Sequence, residues 1–526
     1  MEPFAELPTN PDRHLPRIEL VKRKNVSNHG RQLNMFTQTD AVADVGIRNG
    51  SDLDLAPLDA TFRDSGKTPL HSWFPYLEGY SSRFVERVRH EYLGTARRIL
   101  EPFAGTGTTP IVLGQTGVVC AYSEVNPAMS FITQTKLAVL RLPIALRKLL
   151  VQKLTRISEE LHSRVALAPI DKRLQATYLN TFGKSVFFDD ASFEEILRLR
   201  SINDELCLDD NLLGDCFTVA ILASLIPSSR LKRGGDLRYR TPKELAIGLP
   251  RPADLVKARL LAQAKNLVHE VSLLAEVKFA CATAGTLHKF LDREWDGVIT
   301  SPPYLNGTNY IRNARLELWF LRYLNENSDL RILRDRVITS GINDVHAGTN
   351  WLPVTEGVQR VVHAIEQNTY DVRIAKMVGG YFRDMAVVFS SLGECLRPGA
   401  RMCIDIGDSI YNGVHVPTDD LLIEVAESLG FRTVERVHLR KRVSKSREAV
   451  RQQLLVLEMP NKLRSGSNNI LSSYLTESPR LRVASSISSP QKPSWQQRWD
   501  TFKKTLPHQL QPYAKREWGG PPHSCC

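Results

Sequence analysis

Ile99-Leu100-Glu101-Pro102-Phe103-Ala104-Gly105-Thr106-Gly107-Thr108-Thr109 is the stretch on which the fold of this chain turns. An apolar lead-in meets an acid, then two glycines one residue apart, then a helix predicted to begin at Thr108 or Thr109. Glycine lets a backbone approach a ligand closely, and a helix N-terminus offers free N–H groups. The spacing is not the dinucleotide fingerprint, because the third glycine is missing and Pro110 stands about where it would fall. Proline suits the first turn of a helix instead. A second apolar run, Gly117 to Ser123, ends at Glu124, with Val125-Asn126-Pro127 after it. An acid after the second strand is the usual device for holding ribose hydroxyls. Together these features predict an α/β sheet that binds a nucleoside-bearing cofactor. Taken singly they have plainer readings: a tight strand-to-helix turn for Gly105 and Gly107, a surface acid for Glu124, a core side chain for Phe103.

Further along, Trp295 to Thr300 (WDGVIT) reads as a buried strand, and Ser301-Pro302-Pro303-Tyr304 follows at its carboxyl end. That end is where open α/β sheets bind ligands. Two consecutive prolines fix φ and remove two backbone donors, leaving carbonyls free to accept. With the Ser301 hydroxyl beside them and the Tyr304 ring after them, a flat amine would find two acceptors and a π-face. A serine-proline turn with a packing tyrosine is the plainer alternative.

The combination of EPFAGTGTT, the acid in SEVNP and TSPPY resembles the amino-methylating DNA methyltransferases that use S-adenosylmethionine. The serine-first form is typical of members acting on the N4 amine of cytosine, whereas adenine-N6 members more often carry aspartate or asparagine there. His71-Ser72-Trp73-Phe74-Pro75-Tyr76 matches a family segment that contacts the methionine part of the cofactor. Asn309-Tyr310-Ile311-Arg312, Leu316-Glu317-Leu318-Trp319 and the turn Leu396-Arg397-Pro398-Gly399 into Met402–Asp408 extend the resemblance. It covers roughly 65–135 and 280–440. It implies a Rossmann-like methyltransferase sheet, mostly parallel and flanked by helices. Glu101, Phe103, Gly105, Gly107, Thr108 and Glu124 would border the cofactor, with Glu124 on the ribose. Ser301 and the Pro302 carbonyl would hold the amine of a flipped base, Pro303 would stiffen the turn, and Tyr304 would stack on the ring. The resemblance implies an in-line displacement that would need no metal.

Two departures stand out. The family usually has an aspartate after its fourth strand, on the adenine, while Cys281 to Leu287 (CATAGTL) contains no acid, so the adenine would be held by backbone or apolar contacts. Glu101 replaces the more usual aspartate, which keeps the charge on a longer arm.

Composition agrees. A chain of 526 residues with net charge +12 and pI ≈ 9.3 fits a nucleic-acid partner, here double-stranded DNA. There is no apolar run long enough to span a bilayer and no secretory signal pattern, so a cytoplasmic protein of a prokaryotic cell is expected. Eight scattered cysteines without a CxxC pair argue against zinc and against a disulfide framework.

Residues 1–60 read as polar and irregular, 61–140 as the first, cofactor-binding part of the catalytic domain, and 141–275 as a largely helical insertion. The second catalytic part spans 276–460, and 461–526 form a loose tail rich in serine and proline. Within the insertion, Arg230, Lys232, Arg233, Arg238, Arg240 and Lys243 crowd one short segment with two glycines, which suits phosphate contact from a flexible loop or else is a solvated basic loop. A second basic run, Arg436 to Arg447, divides between the same readings. Pro522-His523-Ser524 echoes Pro69-Leu70-His71-Ser72, as though a second methylase module began there. Expected partners besides DNA are therefore a cognate restriction endonuclease or a second methylase half. The alternatives are adenine-N6 methylation of DNA, methylation of an RNA guanine amine, and a DNA-binding module without activity.

Overall fold

Apolar residues with a period of two, such as Ile99 and Leu100 or Val298 and Ile299, send successive side chains into two separate cores, one on each face of a sheet. Strands of this kind, buried on both sides, belong in a parallel sheet covered by helices. The computed structural model describes residues 47–460, apart from 235, 269–271, 346–353, 370 and 444–447. Its strands are β1 (Ile47–Asn49), β2 (Arg98–Glu101), β3 (Val119–Ser123), β4 (Leu231–Gly234), β5 (Asp236–Tyr239) and β6 (Val277–Cys281). The chain continues with β7 (Trp295–Thr300), β8 (Leu396–Gly407), β9 (Ser409–Tyr411), β10 (Val414–Val416), β11 (Arg432–Val443) and β12 (Ala449–Glu458).

Eight of them form one sheet in the order β1-β11-β12-β8-β7-β2-β3-β6. All neighbours pair parallel except those of β12, which is antiparallel to both β11 and β8. The expected mostly parallel sheet is thus present. β2 and β7 lie side by side at its centre, so Glu101 and Ser301 leave the sheet next to each other. The segment expected to be irregular contributes β1, three residues that pair with β11. Such a short edge strand has no periodicity of its own to read.

Between β3 and β6 the described residues build six long helices, Pro127–Leu140, Ile144–Leu167, Lys172–Phe182, Asp190–Asp209, Asn211–Leu225 and Pro252–Leu267. Their apolar faces share one core with a face of the sheet. An aromatic cluster joins them to the segment after β7: Trp319 packs on Tyr178 at 5.2 Å between ring centroids and donates from Nε1 to the Leu174 carbonyl. The hairpin β4–β5 also lies within this stretch. The tail, with its echo of a second module, lies outside the described residues, as do residues 444–447 of the second basic run. The rest of that run is strand β11, where Arg436 pairs with Asp420 and Arg440 donates to Gln452. Among the described residues no helix is long and apolar enough to cross a membrane.

Candidate active site

The turn from β2 into the helix Thr108–Gln115 uses both glycines in the left-handed region, Gly105 at φ +53° and Gly107 at φ +88°. A Cβ at Gly105 would come within 2.8 Å of the Tyr76 ring, and one at Gly107 within 2.7 Å of Thr133. The turn is tied down from the helix Pro127–Leu140 after β3: Thr133 Oγ1 donates to the Gly105 carbonyl and buried Lys136 Nζ to that of Thr106. Burial pushes the Lys136 ammonium down to about 7. Glu124, just past β3, accepts from the backbone N–H of Gly105 at 2.7 Å and of Asn126 at 2.8 Å. Burial nevertheless pushes its carboxyl up to about 7.

Glu101 is wholly buried and committed to its own chain, taking hydrogen bonds from Tyr80 Oη, Thr300 Oγ1 and the Phe103 N–H. It locks the end of β2 to the end of β7. One cavity is bordered by Glu101, Phe103, Gly105, Thr108 and Glu124, by Tyr76 and Tyr80 from the preceding segment, and by Ser301, Pro302 and Pro303. The acid-free stretch Ala282–Gly285 lines it as well, offering backbone, two alanines and a threonine but no carboxylate. His71 is buried, its Nδ1 has no partner among the described residues, and burial and Lys136 push it down to about 3.

A second cavity lies on the other side of Ser301. Tyr304, Asp405, Arg440, Arg442 and Gln452 line it, and Glu78, Gly79, Ser301 and Tyr310 line both cavities. The Tyr304 phenol takes a hydrogen bond from Gln452 Nε2, its N–H donates to Tyr310 Oη, and Arg442 covers its ring at 5.1 Å. Asp405 accepts twice from Gln452, yet burial pushes it up to about 6. The sequence pointed to Ser301 and Tyr304. It did not single out Glu78 or Gln452, which have no motif of their own; Arg440 and Arg442 belong to the second basic run, read there as phosphate contact or a solvated strand edge, and the structure places both on the wall of this cavity.

The basic segment is not a free loop. It forms the β4–β5 hairpin, anchored to the segment after Tyr304 by Leu237 N–H to Asn313 Oδ1 and Asn309 N–H to Asp236 Oδ1. Lys232, Arg238 and Lys243 are exposed, and the first two pair with Glu244. Arg230 is half-buried. Arg240 is half-buried too and donates to the carbonyls of Ser229 and Pro227. Arg233 corrects the expectation of a phosphate contact: it turns inward against Glu317, with side-chain exposures of 15% and 1%, and sits over the Phe74 ring. A buried carboxylate demands a charged partner, and the hairpin supplies one.

No protein-family model matches the chain. It is 23% identical over 451 residues to the type II methyltransferase M.BsoBI of Geobacillus stearothermophilus, covering 74% of this chain and 86% of that one. It is 25% identical over 414 residues to the type II methyltransferase M.AvaI of Nostoc, covering 72% and 82%. A comparison with solved structures pairs it with the rRNA methyltransferase aviRa of Streptomyces viridochromogenes at 11% identity and a TM-score of 0.25, over 78% of this chain and 94% of that one. Over more than seven tenths of its length, this chain is similar to type II methyltransferases.

Proposed function

We propose that this protein transfers a methyl group from S-adenosylmethionine to the exocyclic N4 amine of cytosine in duplex DNA, within a modification system paired with a restriction endonuclease. The observation that carries the reading is the shared wall: Ser301 borders both the glycine-turn cavity and the cavity lined by Tyr304. A methyl donor in the first and a flat base in the second would meet at the Ser301 hydroxyl. The first cavity suits the donor. Gly105 leaves backbone where a Cβ would meet Tyr76, Glu124 offers acceptors for ribose hydroxyls, and Ala282–Gly285 offers a surface for a purine. When bound, S-adenosylmethionine supplies an electrophilic methyl on a sulfonium.

The chain's own residues act on the acceptor. The N4 lone pair is delocalised into the cytosine ring, so the free amine is a poor nucleophile. Ser301 Oγ and the Pro302 carbonyl accept its two protons and favour a pyramidal nitrogen whose lone pair faces the methyl. Tyr304, held by Gln452 and backed by Arg442, offers a ring face for stacking on the flipped base, a contact worth about 1–3 kcal/mol. The rest is positioning and electrostatics. The similarity to type II methyltransferases supports the same reading.

The test is transfer of labelled methyl to mixed-sequence duplex DNA, with nucleoside analysis of the product, for the wild type and Ser301→Ala. The expected product is N4-methylcytosine, reduced at least a hundredfold in the variant. N6-methyladenine would replace the proposed acceptor. No label in DNA would overturn the reading.

A further inference from the structure

Glu78 stands where the two cavities meet, and nothing in the motifs accounts for it. Its Oε2 is closed off from solvent and has no hydrogen-bond partner among the described residues. Its carboxyl is hydrogen-bonded to Asn313 on the segment after Tyr304. One cation, Arg233, faces two carboxyls here, Glu78 and Glu317, and it contacts Glu317 directly. The other titratable groups facing Glu78 are Asp236 on β5, Tyr76 on its own segment and Tyr310 after β7.

Resting on the reading above, we propose that Glu78 is the final acceptor of the proton that the target amine must lose when it is methylated. In that step a bond forms between the amine nitrogen and the methyl carbon. The methyl–sulfur bond breaks, and its electron pair stays on sulfur. The nitrogen, briefly positive, gives up the proton it shares with Ser301 Oγ, and the Ser301 hydroxyl, on the same shared wall as Glu78, passes a proton to the Glu78 carboxylate, so a sulfonium and a carboxylate become a neutral thioether and a neutral acid. Solvent takes the proton from Glu78 when the products leave. Burial raises this carboxyl above its ordinary range, against the opposing pull of Arg233, which makes it a better proton acceptor than an exposed glutamate. It must be ionised to act, so the rate rises with pH through its raised pKa and then levels.

The full-length protein, Glu78→Gln and Glu78→Asp are compared by two measurements. Calorimetry in buffers of different ionisation enthalpy counts the protons released on binding S-adenosylmethionine and on binding the neutral thioether S-adenosylhomocysteine. A sulfonium beside Glu78 lowers its pKa, so the wild type and the aspartate variant release more protons with the sulfonium than with the thioether. Glu78→Gln shows no such difference. Single-turnover methyl transfer falls about 10²-fold in Glu78→Gln, its acid limb disappears, and Glu78→Asp retains that limb. Wild-type proton release, or a wild-type rate and acid limb, in Glu78→Gln overturns the proposal. If the wild type shows Glu78-dependent proton release but puts no label in DNA, the proposed acceptor is wrong while the carboxyl's place beside the sulfonium stands.

Discussion

Glu124 illustrates how one residue carries both architecture and chemistry. Its carboxylate holds the glycine turn through Gly105 and the start of the next helix through Asn126, and it borders the first cavity. Burial raises its pKa to about 7, so near neutral pH it is only partly ionised. Hydroxyl donors are held best by the ionised form, so binding of a ribose raises the ionised fraction and affinity grows as pH rises through about 7. We predict that S-adenosylhomocysteine, which has the ribose but no sulfonium, binds more tightly at pH 8 than at pH 6. In Glu124→Gln that dependence flattens and affinity drops at least tenfold. Calorimetric titration across this range checks both. An unchanged slope in the variant would assign the dependence to another group.

At the scale of elements, the β4–β5 hairpin separates into two sets of cations with different work. Arg233 compensates buried Glu317 and faces Glu78, so Arg233→Met would remove the ion-pair partner of Glu317 and the cation facing Glu78. Breaking a buried pair in this way costs about 3–5 kcal/mol, and a large drop in thermal midpoint is expected. Lys232 and Arg238 are exposed and share Glu244, surface pairs that water and salt screen. Lys232→Ala and Arg238→Ala should therefore leave the thermal midpoint nearly unchanged. If the hairpin meets phosphates, they weaken DNA binding and reduce its salt slope by about one ion each. Fluorescence anisotropy at several salt concentrations, beside thermal melts, separates the two sets. A marked loss of stability in Arg238→Ala, or none in Arg233→Met, would reverse the assignment.

Across the whole molecule, the helical stretch between β3 and β6 buttresses the loop that carries the site. Trp319 is the bridge: fully buried, it packs against Tyr178 and Phe193 and donates to the Leu174 carbonyl. Tyr310 and Asn313, which hold Tyr304 and Glu78, lie a few residues before it. Trp319→Ala removes a large core side chain and a buried hydrogen bond, a loss of about 3–5 kcal/mol. The same change should slow methyl transfer even at temperatures where the protein stays folded, because the segment that positions Tyr304 loses its anchor. Denaturant unfolding and single-turnover transfer at 15 °C would show it. Lost stability with an unaltered folded-state rate would reduce the insertion to a passive core.

What the chain's own order determined is the sheet, its glycine turn and the Ser301–Tyr304 tetrapeptide at the end of β7. Those signals are local: Gly105 and Gly107 adopt a backbone that side chains resist, and the apolar periods of Ile99–Leu100 and Val298–Ile299 encode a strand buried on both faces. The tertiary structure alone decided the rest. Arg233 looked like its five basic neighbours until a buried carboxylate from a distant helix faced it. Glu78 and Gln452 carry no motif, and the basic run that holds Arg442 did not say where it would point, since their places depend on strands and loops far apart in sequence converging beside Ser301. Burial and pairing are properties of the assembled fold, and no local stretch of chain contains them.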